Sequence, residues 1–197
     1  MSSRTATPNI LSLHIGALGI DGGVAQVALS AIEAFAGAHG GAPWNVRALS
    51  LLGDANTASL RAACSIPERA NVRYRAFQGS RPKFARAAIA AAIGWADVVF
   101  VDHLNMAPVG FAAAAIARAP KVLFAHTLEL CPGADDLDRP TQRPTPLRSA
   151  LLSRFDAIAS NSASTARLLK IVSPHAPAAT ICAPAPRALR EIVDVLR

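Results

Sequence analysis

A glycine-rich turn after the first apolar segment constrains the fold of this chain more than any other feature. Ile10–Ile15 has the pattern of a short apolar strand, the glycine-rich segment Gly16–Gly23 follows it, and an amphipathic helix begins near Val24. A strand, a glycine loop and a helix N-terminus in this order bring free backbone N–H groups and the positive end of the helix dipole to one point. The segment therefore predicts a site for a phosphate-bearing ligand.

Strand and helix patterns alternate along the rest of the chain. Strands are predicted at Ile10–Ile15, Asn45–Leu52, Val72–Phe77, Val98–Val101, Val122–Ala125, Ala157–Ser160 and Ala179–Cys182. Helices are predicted at Val24–Ala38, Thr57–Cys64, Lys83–Ile93, Pro108–Arg118, Leu147–Arg154, Ala163–Ile171 and Arg187–Leu196, with a long loop over Leu130–Pro146. This alternation predicts one Rossmann-like α/β domain over residues 1–197, in three layers, with helices on both faces of a mainly parallel sheet.

The composition narrows the classes of protein and of partner. A hydrophobic fraction of 52% with 17% charged residues is that of a globular chain. The net charge of +7 suits a diphosphate, an anionic lipid headgroup or a nucleic acid, but aromatic residues are only 5% and no nucleic-acid-binding motif is present. We therefore expect no nucleic-acid partner. Cys64, Cys131 and Cys182 are widely spaced, so we expect neither a metal site nor a disulfide framework, and reduced thiols in the cytoplasm.

Polar side chains follow several of the predicted strands at the point where each strand ends. His14 follows the first strand, Asp102-His103-Leu104-Asn105 the fourth, His126-Thr127-Leu128-Glu129 the fifth and Ser160-Asn161-Ser162 the sixth. The carboxyl ends of parallel strands meet at one edge of the sheet, where doubly wound proteins bind their ligands. We therefore expect these groups to line one crevice, although Ser162 also fits a simple helix N-cap.

Several common nucleotide and hydrolase motifs are absent. The second predicted strand ends without the acidic residue that a dinucleotide site needs, and the glycine spacing departs from GxGxxG. Neither a GxxxxGK[ST] loop nor a GxSxG elbow is found.

Three segments resemble the retaining family-four glycosyltransferases of the GT-B type. The opening ILSLHIGALGIDGGVAQVALSAIEAF is similar to their first strand, Gly-Gly loop and long helix. The segment ADVVFVDHLNMAPVGFAAAAIARAPKVLFAHTLEL resembles their middle pair of strands, and FDAIASNSASTARLLK resembles a later strand and helix. The resemblance covers nearly all of the chain and implies one half of a GT-B fold.

The resemblance implies roles for individual residues. His126 would lie at the active centre, where it hydrogen bonds to the sugar and is not a nucleophile. The donor- or acceptor-binding residues would be Gly22, Gly23, His103, Asn105, Glu129 and Ser162. Transfer from a nucleotide-sugar in this family needs neither a metal nor a further cofactor, so none is expected.

The resemblance also implies that a second, donor-binding half is missing. That half normally carries an E-x7-E pair, whereas Glu33, Glu68, Glu129 and Glu191 include no two residues eight positions apart. We therefore expect this chain to be the acceptor-side half of a polysaccharide-assembling enzyme, truncated or completed by a C-terminal domain or a partner subunit. The alternatives are a non-catalytic binding subunit of the same fold and an unrelated Rossmann-like enzyme such as a methyltransferase.

Two basic clusters suggest where an acceptor or a membrane would lie. They comprise Arg69, Arg73, Arg75, Arg81, Lys83 and Arg86, and Arg139, Arg143, Arg148 and Arg154. An ordinary solvated surface explains them equally well. The resemblance implies a glycan or lipid-linked acceptor, and a cytoplasmic protein that can lie against the anionic inner face of the membrane.

Overall fold

The computed structural model describes residues 7–19, 22–38, 42–130 and 146–182. Seven strands lie in these ranges: β1 Asn9–His14, β2 Asn45–Ser50, β3 Val72–Ala76, β4 Val98–Val101, β5 Lys121–Ala125, β6 Ala157–Ser160 and β7 Ala179–Ile181. The helices are α1 Gly23–Phe35, α2 Thr57–Ala63, α3 Arg81–Ala92, α4 Ala107–Ala117, α5 Thr127–Leu130, α6 Pro146–Leu152 and α7 Ala163–Val172, with a short 3-10 turn at Leu104–Met106.

The strands form a single parallel sheet in the order β3-β2-β1-β4-β5-β6-β7. The strand order reverses between β1 and β4, where Leu13 pairs with Val101. This reversal is a topological switch point, and the loops that leave β1 and β4 diverge there. The predicted three-layer, Rossmann-like fold is confirmed.

The sheet separates two apolar cores. Leu11 and Leu13 of β1 face the core formed with α3, α4, α6 and α7, whereas Ile10 faces the core formed with α1 and α2. Because side chains alternate along a strand, Ser12 and His14 lie on the same face as Ile10. Two polar side chains therefore enter the apolar layer beneath α1, where each needs a partner.

The observed elements match the predicted ones closely, with two additions at the carboxyl edge of the sheet. The 3-10 turn after β4 and the short helix α5 after β5 were not predicted. Helix α5 begins with one half of a capping box, since the Glu129 carboxylate accepts the backbone N–H of His126 three residues before it at 3.2 Å. The predicted helix Arg187–Leu196 and residues 131–145 of the predicted loop lie outside the described residues.

Candidate functional site at the carboxyl edge of the sheet

At the switch point, the buried side chains of His14 and Asp102 pair with each other. His14 Nδ1 lies 2.7 Å from Oδ2 of Asp102, and His14 Nε2 lies 2.7 Å from the Ser12 hydroxyl. The other carboxylate oxygen of Asp102 accepts the backbone N–H of Ile15 at 3.2 Å. All three side chains are fully buried. Both nitrogens of His14 are therefore occupied, and its role is to join β1 to β4.

Glu129 is the centre of the polar cluster above this pair. Its Oε1 accepts the backbone N–H of Leu104 at 3.0 Å, and its Oε2 accepts the N–H of His126. The side chain is buried and comes from α5, while Leu104 belongs to the turn after β4. Glu129 therefore links the segment after β4, which carries His103, with the segment after β5, which carries His126.

The third partner of Glu129 is the ring of His103. His103 Nδ1 lies 2.6 Å from Oε1 of Glu129 and 3.1 Å from the backbone nitrogen of Asn105. These two contacts require opposite protonation of Nδ1. We assign the proton to Nδ1 because the Glu129 contact is the shorter and because Glu129 already accepts two N–H groups as a carboxylate does. Nε2 of the partly exposed His103 ring then has no hydrogen-bond partner within the described part of the chain.

The ring of His126 is held through Nε2, whereas the ring of His103 is held through Nδ1. Its Nε2 lies 2.8 Å from the backbone carbonyl oxygen of Asp102, so Nε2 carries the proton. The ring packs between Phe124, at 5.2 Å between centroids, and His103, at 6.2 Å. Only 8% of His126 is exposed. Within the described residues no group hydrogen bonds to Nδ1.

Two contacts around this cluster gave no signal in the sequence. Arg148 of α6 donates from Nη1 to the backbone carbonyl of Glu129 at 2.8 Å. The sequence places Arg148 in a basic cluster, whereas in the structure its side chain stabilises α5. Thr127 also shares a hydrogen bond of 2.7 Å with Thr165 of α7. Both contacts join residues far apart in the chain, and neither residue type is diagnostic, so only the tertiary structure reveals them.

Ser162 begins α7 as an N-cap residue. Its hydroxyl accepts the backbone N–H of Thr165 at 3.1 Å and lies 2.9 Å from the Thr165 hydroxyl. Because Thr165 also contacts Thr127, Ser162 is linked to the segment that carries His126. A ligand contact from Ser162 remains a prediction, and its hydroxyl already has a structural task.

The glycine loop lies at the same edge of the sheet. Gly22 is the N-cap of α1, with a φ of 121° that favours glycine, and no side chain caps the helix. A Cβ on Gly22 or Gly23 would meet nothing within 4 Å, so both positions are open. Within the described residues no hydrogen bond joins either glycine to the histidines.

Burial raises the pKa of the hydroxyl of Tyr74, which lies near the main chain of Ala17 and Leu18.

A groove of about 450 Å³ opens beside the histidine cluster. Asn105, which follows His103 and is exposed, lies on its wall together with Arg81 at the start of α3. The rest of the lining is apolar and comes from Ile15, Leu51, Phe84, Met106 and Val109. The groove was not predicted, because its residues come from four separate segments of the chain.

The structure thus brings His103, His126 and Glu129 into one cluster, with Asn105 at its margin. In the described ranges no group of three or more His, Cys, Asp or Glu side chains is placed to hold a metal ion. None of the helices in these ranges has the length and continuous apolar character that crossing a bilayer requires.

The polar cluster and the groove lie at the switch point of a Rossmann-like α/β sheet, which is where doubly wound proteins bind their ligands. Among solved structures, the chain is similar to Anabaena HepE in complex with UDP-glucose, with a TM-score of 0.59 and 18% identity over 88% of this chain. It also matches HepE with UDP and glucose, at a TM-score of 0.58 and 19% identity over 87% of this chain.

The HepE complex with UDP matches at a TM-score of 0.57 and 19% identity over 88% of this chain. In all three comparisons the match spans 43% of the length of HepE. At these identities the likeness shows a shared fold. No protein-family model and no curated protein sequence matches the chain.

Proposed function

We propose that this chain is the acceptor-binding half of a retaining glycosyltransferase, which transfers a sugar from a nucleotide-sugar to a glycan or lipid-linked acceptor. The cluster in which Glu129 holds both His103 and the backbone of His126 carries this proposal. The sequence resemblance supports it, since the matching motifs carry these histidines. The similarity to HepE, whose structures contain UDP-glucose or UDP, is consistent with a nucleotide-sugar donor.

The two histidines would act as fixed hydrogen-bonding groups. His103 Nδ1 is taken by Glu129 and His126 Nε2 by the Asp102 carbonyl, so Nε2 of His103 and Nδ1 of His126 have no hydrogen-bond partner among the described residues. Rings held through one nitrogen present the other in a fixed direction, and such preorganisation lowers the reorganisation that a reaction requires. In our proposal His126 contacts the transferred sugar and His103 the acceptor, and neither is a nucleophile.

The diphosphate of the donor would approach the open N-terminus of α1. The first turn of α1 has no acidic side chain, and Gly22 and Gly23 leave room for close approach to the backbone. The remaining contacts to the nucleotide would come from a second domain or a partner subunit. The proposal includes no metal ion.

Contact with an anionic membrane is part of the same proposal. Arg73, Arg75, Arg81, Lys83 and Arg86 lie on β3 and α3, and none of them forms an ion pair within the described ranges. A surface whose basic side chains have no acidic partner attracts anionic lipids. The protein would then act in the cytoplasm, at the inner face of the membrane.

The test uses the protein as its own cell makes it. A tag is added to the chromosomal gene, and the purified protein with any retained partner is incubated with labelled nucleotide-sugars and lipid or oligosaccharide extracts. We expect transfer with retention of the anomeric configuration, read by NMR, and a loss of at least a hundredfold in His126→Ala.

The matched control is His175→Ala, because His175 is exposed and lies outside the cluster. Full activity in His126→Ala would remove His126 from the mechanism. A stable complex with a partner and no transfer from any nucleotide-sugar would overturn the catalytic proposal and support the non-catalytic subunit.

A further inference from the structure

Asp102 is anchored to the end of β1 through both its backbone and its side chain. Its backbone N–H donates to the carbonyl of Leu13 at 3.0 Å. Its carboxylate accepts the backbone N–H of Ile15 at 3.2 Å and faces Nδ1 of His14 at 2.7 Å. The pairing of β1 with β4 ends at Leu13 and Val101. The orientation of the peptide group that follows Asp102 therefore depends on the contacts of the carboxylate.

The carbonyl group of Asp102 determines which nitrogen of His126 carries a proton. Nε2 of His126 lies 2.8 Å from this oxygen, and a carbonyl oxygen can only accept a hydrogen bond. A neutral imidazole has one N–H, so a proton held on Nε2 leaves Nδ1 as an acceptor. Glu129 links the segments of His103 and His126 to each other, whereas Asp102 links them to the sheet. A rotation of this peptide group would therefore take the acceptor away from the ring of His126.

His14 is an unfavourable residue for the apolar layer in which it lies. The ring is fully buried, with Nε2 2.7 Å from the hydroxyl of Ser12 and with the ring of Phe100 at 6.2 Å. Burial of polar groups is unfavourable unless each finds a partner, and an apolar pair of similar size often stabilises a protein as well as a buried polar pair does. What the contact of His14 with Asp102 adds over an apolar contact is a fixed direction for the carboxylate.

We propose that His14 is a positioning residue for His126. Its Nδ1–H holds the carboxylate of Asp102, which keeps the backbone carbonyl of Asp102 directed at Nε2 of His126, so that Nδ1 of His126 stays unprotonated. His14 is fully buried and acts only through Asp102. The effect on sugar transfer rests on the proposed function, whereas the position of the ring proton is a property of the chain itself.

The test compares His14→Asn with His14→Gln. The amide nitrogen of asparagine takes the place of Nδ1 and can still donate to Asp102, whereas the longer glutamine reaches the place of Nε2 beside Ser12. Each variant keeps one of the two contacts of His14 and loses the other, so the two are matched controls for each other. The proposal depends on the contact with Asp102.

The first measurement follows the ring N–H of His126 by NMR in the full chain with isotope-labelled histidine, assigned by its absence in His126→Ala. We expect the proton on Nε2 in the unaltered chain. In His14→Asn its exchange with solvent should stay within about twofold of that rate. In His14→Gln the exchange should be about tenfold faster or more, because Nε2–H loses its fixed acceptor. A purely structural role of His14 would affect both variants alike.

A double variant keeps the test decisive if a single variant does not fold. His14→Phe together with Asp102→Leu replaces the polar pair by an apolar pair and should remain folded, which thermal unfolding checks. The ring proton of His126 should again exchange about tenfold faster or more, because the peptide group after position 102 is no longer held.

The effect on catalysis is measured separately in the native protein. His14→Gln should lower kcat about tenfold or more and change KM by less than about twofold, because the ring of His126 is still present but its proton is no longer fixed. His14→Asn should restore most of the activity.

Two outcomes would overturn the inference: equal exchange rates in His14→Asn and His14→Gln, or an unchanged rate in the folded double variant. If the ring proton responds as expected but the native protein transfers no sugar, the proposed function fails alone. If transfer occurs and the ring proton does not distinguish the two single variants, the positioning inference fails alone.

Discussion

Asp102 and His14 are 88 positions apart in the chain, yet their side chains meet at 2.7 Å in the fully buried layer beneath α1. The pair closes the switch point between β1 and β4, and the backbone carbonyl of Asp102 then accepts a hydrogen bond from His126. Asp102 therefore links the buried layer of the sheet, through its carboxylate, with the candidate site, through its backbone carbonyl.

Removal of the Asp102 carboxylate should destabilise the protein strongly. Asp102→Ala leaves the ring of His14 and the backbone N–H of Ile15 without their acceptor, and each unsatisfied group costs about 1–3 kcal/mol, so we expect a loss of about 2–5 kcal/mol in the free energy of unfolding. Urea unfolding followed by circular dichroism measures it. Asp54→Ala is the control, because Asp54 is exposed, and it should change stability by less than about 0.5 kcal/mol. A loss below about 1 kcal/mol in Asp102→Ala would contradict a structural role for the pair.

Glu129→Gln should lower both the stability of the protein and its transfer activity. One oxygen of the carboxylate becomes an NH₂ group, which faces an N–H donor at one of the three positions around Glu129, so we expect about 1–3 kcal/mol of destabilisation. The amide oxygen that remains is a weaker acceptor than a carboxylate, so the ring of His103 is held less firmly and transfer by the native protein should fall at least tenfold.

The control for this variant is Glu33→Gln. Glu33 accepts a single exposed hydrogen bond from the Ser65 backbone at 2.9 Å, so its substitution should change neither quantity appreciably. A variant Glu129→Gln with full activity would show that the orientation of His103 does not matter to the reaction.

Two glycine substitutions should have opposite effects. A Cβ at Gly110 would lie 2.5 Å from Cγ2 of Val101, so Gly110→Ala should lower the free energy of unfolding by about 1–3 kcal/mol through overpacking between α4 and β4. Gly23→Ala meets no atom within 4 Å in the first turn of α1 and should be neutral or stabilising by up to about 1 kcal/mol. Thermal unfolding of both variants compares them, and a stable Gly110→Ala would contradict the close approach of α4 to the sheet.

The thiol of Cys64 should react slowly with alkylating agents. Burial, with a smaller effect of Glu33, raises its pKa to about 11. A raised pKa means less thiolate at a given pH, so at pH 8 Cys64 should react roughly a hundredfold more slowly than a free thiol of pKa about 8.5. The rate is measured by mass spectrometry in a variant with Cys131→Ser and Cys182→Ala. Glu33→Gln should accelerate it, and a rate equal to that of glutathione would contradict the shift.

The candidate site was predictable only in part. His103, His126 and Glu129 were recognised because polar residues after buried strands are visible in a sequence, and parallel strands bring their carboxyl ends to one edge. The assignment of partners was not visible. The H-x-x-E spacing of His126 and Glu129 could have indicated a capping box, but the contacts of Glu129 with Leu104 and His103 depend on the pairing of β4 with β5.

The sequence by itself determined the order of strands and helices, the glycine turn after β1 and the placement of histidines at strand ends, because these follow from local periodicity and backbone preference. Only the tertiary structure decided which polar groups meet. Both ring nitrogens of His14 are occupied by Ser12 and Asp102, whereas Nε2 of His103 has no partner in the described ranges, and Arg81 lines the groove from another helix. These differences arise from contacts between distant segments, whose geometry is set by the sheet order and by helix packing and has no local signal in the chain.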